Sequence, residues 1–233
     1  MAVHGILAVT MVRNECDIVE AFVRHHVAIV DRIHVLLHAS TDATAAILDR
    51  LVEEGLPITV ERDENVALSK EAQFNALIGR AIERHAPDFI VPLDADEFIV
   101  PPDRSRLLQE LAALPDGAAL WLAWQTYLPT ADDDRREINP VLRIRSRRVA
   151  EPVPMVKVCF PRASYRAPEV VLVDGQHQLS HRDGRPLAHV AARGLRLAHF
   201  PVRSADQFVV KIVMGWLSRR LSSDRTEQTS AEW

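Results

Sequence analysis

Four short apolar runs recur through the first hundred residues, and the first three are each followed by a polar loop and then by apolar residues at helical spacing. Few folds accommodate that alternation. Ile6–Val12 reads as a buried strand ending in the polar loop Arg13-Asn14-Glu15, after which Asp17 opens a helical stretch carrying Ile18, Phe22, Val23, Val27 and Val30. Ile33–Leu37 predicts a second strand, and Ser40-Thr41-Asp42 supplies capping oxygens for a helix through Glu54. Ile58–Val60 predicts a third strand, with Ser69 capping a helix to about His85. Phe89–Leu93 predicts a fourth, which stops at Asp94-Ala95-Asp96-Glu97. This order implies an α/β fold with a mostly parallel sheet and helices on both faces. Ligands of such sheets bind beyond the carboxyl ends of the strands. Arg13–Glu15, His38–Asp42 and Asp94–Glu97 all fall at that edge.

Beyond Pro101-Pro102 the pattern changes. Arg104–Ala113 reads as a helix, Ala118–Trp124 as a strand and Asp132–Glu137 as a charged loop. Short strands are expected around Val141–Ile144, Lys157–Phe160, Val170–Val173 and Leu195–Phe200. Ser204 then caps a helix through about Leu221, and residues 222–233 read as a mobile polar tail. The second half extends the sheet as a smaller, mixed lobe of one domain over residues 1–221.

Composition removes several classes. The apolar run at the start lacks a cationic region before it, so it is not a secretory signal. No apolar run approaches the ~18–20 residues of a membrane span. The two cysteines, Cys16 and Cys159, have no metal or redox spacing and read as reduced thiols that fit the cytoplasm. Residues 1–103 hold 18 acidic against 8 basic side chains, and residues 104–233 hold 14 against 20. An acidic half beside a basic half suits a cation on one side and a phosphorylated ligand on the other. An overall charge of −4 without an aromatic-basic motif argues against a nucleic-acid partner. Arg143, Arg145, Arg147 and Arg148 leave peripheral contact with anionic lipid open.

The strongest local signal is Phe89-Ile-Val-Pro-Leu-Asp94-Ala-Asp96-Glu97-Phe98. Two carboxylates one residue apart, directly after a buried strand, can meet one hard cation, Mg²⁺ or Mn²⁺, with phosphate oxygens completing the shell. Three acidic groups crowded there repel one another unless a cation neutralises them.

With these pieces assembled, the chain resembles family 2 glycosyltransferases, in particular the branch with an Arg-Asn-Glu first loop and an Asp-Ala-Asp-Glu-Phe motif. Val12-Arg13-Asn14-Glu15, Ser40-Thr41-Asp42-Ala43-Thr44 and Asp94–Phe98 match in order, as do Lys157, Leu197-Ala-His199-Phe200-Pro201, Ser204, Gln207, Phe208 and Lys211. The resemblance implies a GT-A fold, with a nucleotide-sugar-binding half over 1–103 and an acceptor-side half over 104–221. It implies a nucleoside-diphosphate sugar donor, a glycan or lipid-linked acceptor and a divalent cation. Thr10, Arg13 and Glu15 then fall by the nucleotide base. Asp94 faces the ribose or sugar, and Asp96 binds the metal, with Asp94 a further candidate ligand. Glu97 braces the loop. His199 completes the coordination and Lys211 meets the diphosphate, with His177 and His181 as weaker alternatives to His199. Gln73 and Asn75, near Lys70, come close to the donor sugar.

One departure stands out. The family usually carries an acidic residue three positions before the serine of Ser-Thr-Asp, and this chain has Leu37 there, followed by His38. His38 is either a substitute through a ring nitrogen or a half-buried strand-end histidine. Asp42 and Thr44 read equally as helix caps. Trp121 reads as core, and Trp124 stays open between core and a sugar-stacking face. Inversion needs a base for the acceptor hydroxyl, for which Asp132, Asp133, Asp134 and Glu137 are the candidates, although such a run is usually solvated surface. A nucleotidyltransferase would need a Gly-rich phosphate loop, and Thr10–Cys16 has no glycine. A degenerate binder that holds a sugar nucleotide without turnover is the other alternative.

Overall fold

The computed structural model describes residues 5–65 and 70–221 of the 233. The expected cap Ser69 and the tail 222–233 lie outside the described residues. The strands are β1 (Ile6–Val12), β2 (Arg32–His38), β3 (Ile58–Asp63), β4 (Phe89–Pro92), β5 (Glu97–Val100), β6 (Ala119–Thr126), β7 (Val156–Pro161), β8 (Val170–Leu172), β9 (Leu179–His181) and β10 (His189–His199). The helices are α1 (Val19–His26), α2 (Thr44–Glu53), α3 (Lys70–His85), α4 (Arg104–Ala112), α5 (Pro140–Arg143) and α6 (Ala205–Leu221).

Eight strands form one sheet in the order β3-β2-β1-β4-β7-β6-β10-β5, and β8-β9 make a separate hairpin. β1 to β4 run parallel, as their spacing predicts, and the continuation is mixed: β7 is antiparallel to β4 and β6, β10 is parallel to β6, and β5 is antiparallel to β10. Because β2 and β3 lie on one side of β1 and β4 on the other, the chain reverses direction at β1. That reversal opens a crevice at the carboxyl ends of β1 and β4. The register Val9↔Pro92 sets the loop after β1 beside Asp94–Glu97.

Strand alternation divides the core between the two faces. Ile33, Val35 and Leu37 of β2 pack with Phe22, Leu48, Leu107 and Leu111 from α1, α2 and α4. Leu7, Val9 and Leu36 pack on the opposite face against Phe74, Leu77, Ile78 and Ala81 of α3. Carboxylates anchor the amino end of β1, where the Gly5 amide donates to Asp88 at 2.9 Å and the Ile6 amide to Asp31 at 2.7 Å.

Two elements differ from expectation and one was missed. Val141–Ile144 is not a strand: Pro140–Arg143 forms a short helix, because Pro140 pre-sets the first helical position and the Asn139 side chain accepts from the Val141 amide. His181, expected in irregular chain, lies on β9. The strand missed is β5, four residues beyond β4. It sits at the far end of the sheet order, although the Glu97 amide donates to the Asp94 carbonyl across a tight turn. In a flat sheet those strands would be ~19 Å apart at ~4.8 Å per neighbour. The sheet therefore curls until β5 returns beside β4. Phe98 on β5 seals the curl, its ring 6.2 Å from Phe22 and 5.6 Å from Phe200.

His26 is buried on α1, where Nδ1 donates to the Phe22 carbonyl at 2.9 Å and Nε2 accepts from the Ile99 amide at 3.4 Å. The second bond needs the neutral ring, since a protonated Nε2 has no lone pair with which to accept. Burial, helped by neighbouring His25, pushes its pKa down to about 3. The unfolded chain, near 6.5, therefore binds the extra proton first, and stability falls as pH drops from ~6.5 towards 3. Urea unfolding should lose about 1.4 kcal/mol per pH unit in that window from this residue. His26→Gln should make the slope shallower by one proton, and an unchanged slope would remove His26 from the account.

Candidate active site

The loops after β1 and β2 are tied together by the residues that form their motifs. Asn14 adopts the left-handed region at φ 55°, which asparagine tolerates better than most side chains. Its Oδ1 accepts from the Thr41 amide at 2.8 Å, while its own amide donates to Ser40 Oγ at 3.1 Å. The Glu15 amide donates to Thr44 Oγ1 at 2.9 Å and the Cys16 amide to Asp42 at 3.1 Å. Asp42 Oδ1 also accepts from the Thr44 amide at 2.9 Å. Ser40, Asp42 and Thr44 therefore act as a clamp that holds Arg13–Glu15 at the crevice.

The acidic turn after β4 is met by cations from distant parts of the chain. Lys157 on β7 is fully buried and uses its three N–H donors on Asp94 at 2.6 Å, the Gly175 carbonyl at 2.8 Å and Gln176 Oε1 at 2.9 Å. Glu97 braces the turn by accepting from the Asp94 amide at 3.0 Å, and burial, opposed by Lys157, pushes its pKa up to about 8. Asp96 receives Lys211 of α6 at 2.9 Å and the Arg203 guanidinium at 3.6 Å. Burial alone would raise the Asp96 pKa, but Lys211, His199 and Arg203 hold it down at about 2.

Arg203 is the residue that sequence reasoning missed. Its side chain has no exposed surface, yet it bonds Glu15, Asp17 at 2.7 Å and the Phe200 carbonyl at 3.2 Å besides facing Asp96. Burial, despite this partner, raises Glu15 to about 7. The available signal was the acidic surplus of the first loop, which calls for a buried cation from elsewhere.

His199 ends β10 with Nε2 3.9 Å from Asp96 Oδ1. Burial lowers the pKa of the ring, and Nδ1 is buried with no hydrogen-bond partner among the described residues. The Trp124 ring lies 4.0 Å from the imidazole, with its own Nε1 buried and likewise without a partner among the described residues, so Trp124 belongs to the site wall. Trp121 stacks on His189 and packs against the α3-side core. On the other side of the crevice, Thr10 Oγ1, His38 Nε2 and Gln73 Oε1 are buried without hydrogen-bond partners among the described residues. Leu37 points into the core, and His38 faces the side of α3. Burial lowers the His38 pKa, with Arg13 adding to the effect.

Other expected residues are engaged structurally. The Asn75 amide joins α3 to Leu172 of β8 and to Tyr165. His177 bonds the Val156 carbonyl, and His181 stays in the β8-β9 hairpin. In the acidic turn, Asp133 bonds Thr130, Asp134 bonds Arg136 and Glu137 bonds the Asn139 amide.

Among the described residues, no group of three or more His, Cys, Asp or Glu side chains is placed to hold a metal ion. At this edge of the sheet Asp96 and His199 offer a carboxylate oxygen and an imidazole nitrogen 3.9 Å apart, a spacing one divalent cation can bridge. Asp94 is less suited, since Lys157 already holds its Oδ2.

The chain matches the model of the family described as glycosyl transferase family 2 over residues 8–167. No curated protein sequence matches it. Among solved structures it is similar to S. aureus TarS 1–349 in complex with UDP-GlcNAc, at 14% identity and TM-score 0.37, over 55% of this chain and 35% of that one. It is also similar to the mannosyltransferase PcManGT from Pyrobaculum calidifontis in complex with GDP-Man and Mn²⁺, at 20% identity and TM-score 0.40, over 59% and 38% of the two chains. HddC from Yersinia pseudotuberculosis, complexed with GMP-PN, is similar at 7% identity and TM-score 0.46, over 89% and 97%. These are loose likenesses, and the chain spans little more than a third of the first two proteins.

Arg203→Met should cost about 3 kcal/mol in urea unfolding, because it leaves Glu15, Asp17 and Asp96 without their shared buried partner. A loss under ~0.5 kcal/mol, the level of an exposed pair, would mean that Arg203 is not the link between the two loops.

Proposed function

The chain belongs to glycosyl transferase family 2, and from that premise we propose that it moves a sugar from a nucleoside-diphosphate donor to a glycan or lipid-linked acceptor, with a divalent cation and with inversion at the anomeric carbon. The observation that carries the reading is the meeting of Asp96, His199 and Lys211 beside the loop after β1.

In this reading the nucleoside lies against Thr10, Arg13 and His38, where buried polar atoms of Thr10 and His38 lack partners among the described residues. Glu15 acts by holding Arg203 near Asp96, and Asp94, steadied by Lys157, faces the ribose or the sugar. Asp96 and His199 hold the cation, whose chemistry is Lewis-acid stabilisation of the departing diphosphate. Neutral imidazole favours Mn²⁺ over Mg²⁺. Lys211 neutralises the same phosphate charge as it develops.

The acceptor enters past Trp124, beside a cleft of about 340 Å³ whose lining includes Gln125, Arg148, Glu151 and Arg196. Its hydroxyl needs a base. Among Asp132, Asp133, Asp134 and Glu137, Asp132 is the one whose carboxylate makes no hydrogen bond among the described residues, which makes it the first to test.

A thermal-shift panel of nucleotide sugars, including UDP-GlcNAc and GDP-Man, with Mn²⁺ or with EDTA, tests the reading. One donor class should raise the melting temperature in Mn²⁺, since a ligand selective for the native state stabilises it. Asp96→Asn should abolish the metal-dependent part of the shift. Asp96 also pairs with Lys211, so His199→Gln serves as a second variant that leaves that ion pair in place. Undiminished donor binding by both variants in EDTA would remove the metal. No shift from any donor would overturn the donor reading, and a shift without sugar transfer or nucleoside-diphosphate release would leave the degenerate binder.

A further inference from the structure

Helix α6 leaves the body of the protein with an apolar surface that nothing among the described residues covers. Between Phe208 and Leu217 the only charged residue is Lys211, which turns inward to Asp96. At 3.6 residues per turn, the large apolar side chains of this stretch cover an arc of about 240° centred opposite Lys211. Val209, Val213 and Trp216 lie at its centre and are 58%, 48% and 53% exposed. Soluble proteins rarely leave so continuous an apolar face in water.

A second apolar group stands at the foot of this helix. In residues 138–153, Ile138, Leu142, Val149 and Val153 are 87%, 57%, 105% and 63% exposed. They flank Arg143, Arg145, Arg147 and Arg148 on both sides, and Glu151 is the one acidic residue of the segment. Arg143 ties the segment to α6 by donating to the Arg203 carbonyl at 2.7 Å, just before the helix begins. Towards the other end, the Arg220 guanidinium lies 5.2 Å from the Trp216 ring centre.

We infer that α6 and residues 138–153 form a docking surface for a lipid bilayer carrying anionic headgroups. Exposed apolar side chains on either side of a cluster of arginines suit the boundary between acyl chains and negative headgroups, and tryptophan beside arginine suits the same depth. Charge selects this occupant over a second copy of the chain. A two-fold contact places the same patch on both sides, which would bring the arginine-rich segments together. Among the described residues no helix is long and apolar enough to cross a membrane, so the contact is with the surface. Lys211 points to Asp96 from the helix that would rest on lipid, which brings the proposed site close to a lipid-linked acceptor.

The test is co-sedimentation of the full chain with vesicles of phosphatidylcholine alone, or with about 30 mol% phosphatidylglycerol added. Binding is expected on the anionic vesicles and should weaken with salt. The double variant V209D/V213D should lower partition about tenfold. R145E/R147E should lower it on anionic vesicles only. Neither variant touches the proposed donor site, so both should keep the thermal shift of the unaltered chain. That separates failure of this inference from failure of the donor reading. Equal or absent binding to the two vesicle types, or full binding by V209D/V213D, would overturn the lipid surface. A dimer in light scattering that V209D/V213D dissociates, without vesicle binding, would assign the face to a second copy.

Discussion

Buried cations contributed by the second half of the chain allow the carboxylates of the first half to share one edge of the sheet. Asp94, Asp96 and Glu97 follow β4 within five residues, and Glu15 and Asp17 stand on the neighbouring loop. Left alone, such a group would repel itself and resist burial. Lys157 answers Asp94 and Glu97, and Arg203 answers Glu15, Asp17 and Asp96. Both side chains are fully buried, so they stay where the packing of β7 and β10 puts them. The ion pairs therefore lock the curl of the sheet as well as the site.

This arrangement sorts the motif residues into two kinds. Asn14, Ser40, Thr41, Asp42 and Thr44 spend their polar atoms on one another, joining the loops after β1 and β2. Thr10, His38 and Gln73 keep buried polar atoms without partners among the described residues, as do Trp124 and His199 across the crevice. A buried unpaired polar atom is costly, so each of these atoms calls for a partner, a ligand or an ordered water. The division between clamp and open polar atoms falls along the crevice where the direction of the chain reverses.

Much of this was legible in the residues themselves. Apolar periodicity of 2 and of 3.6 is a local property, so β1 to β4 and the helices between them could be read within a few residues. The family resemblance was equally local, and the family match over residues 8–167 bears it out. The helix at Pro140–Arg143 escaped because an apolar run of four residues has no period, and the Asn139 cap and Pro140 decided its conformation.

Local patterns in the chain set the parallel half of the sheet and the acidic turn at its carboxyl edge, since each depends on neighbours in sequence. Tertiary structure alone decided where β5 would go and which cations would meet that turn. Glu97–Val100 reads as a strand as easily beside β4 as beyond β10, and only the curl of the sheet selects the second position. Arg203 reaches Glu15 across 188 residues, and no pattern along the chain marks it out from the other arginines of the basic half. Charge pairing in a low-dielectric interior depends on distance in space, and the fold sets that distance.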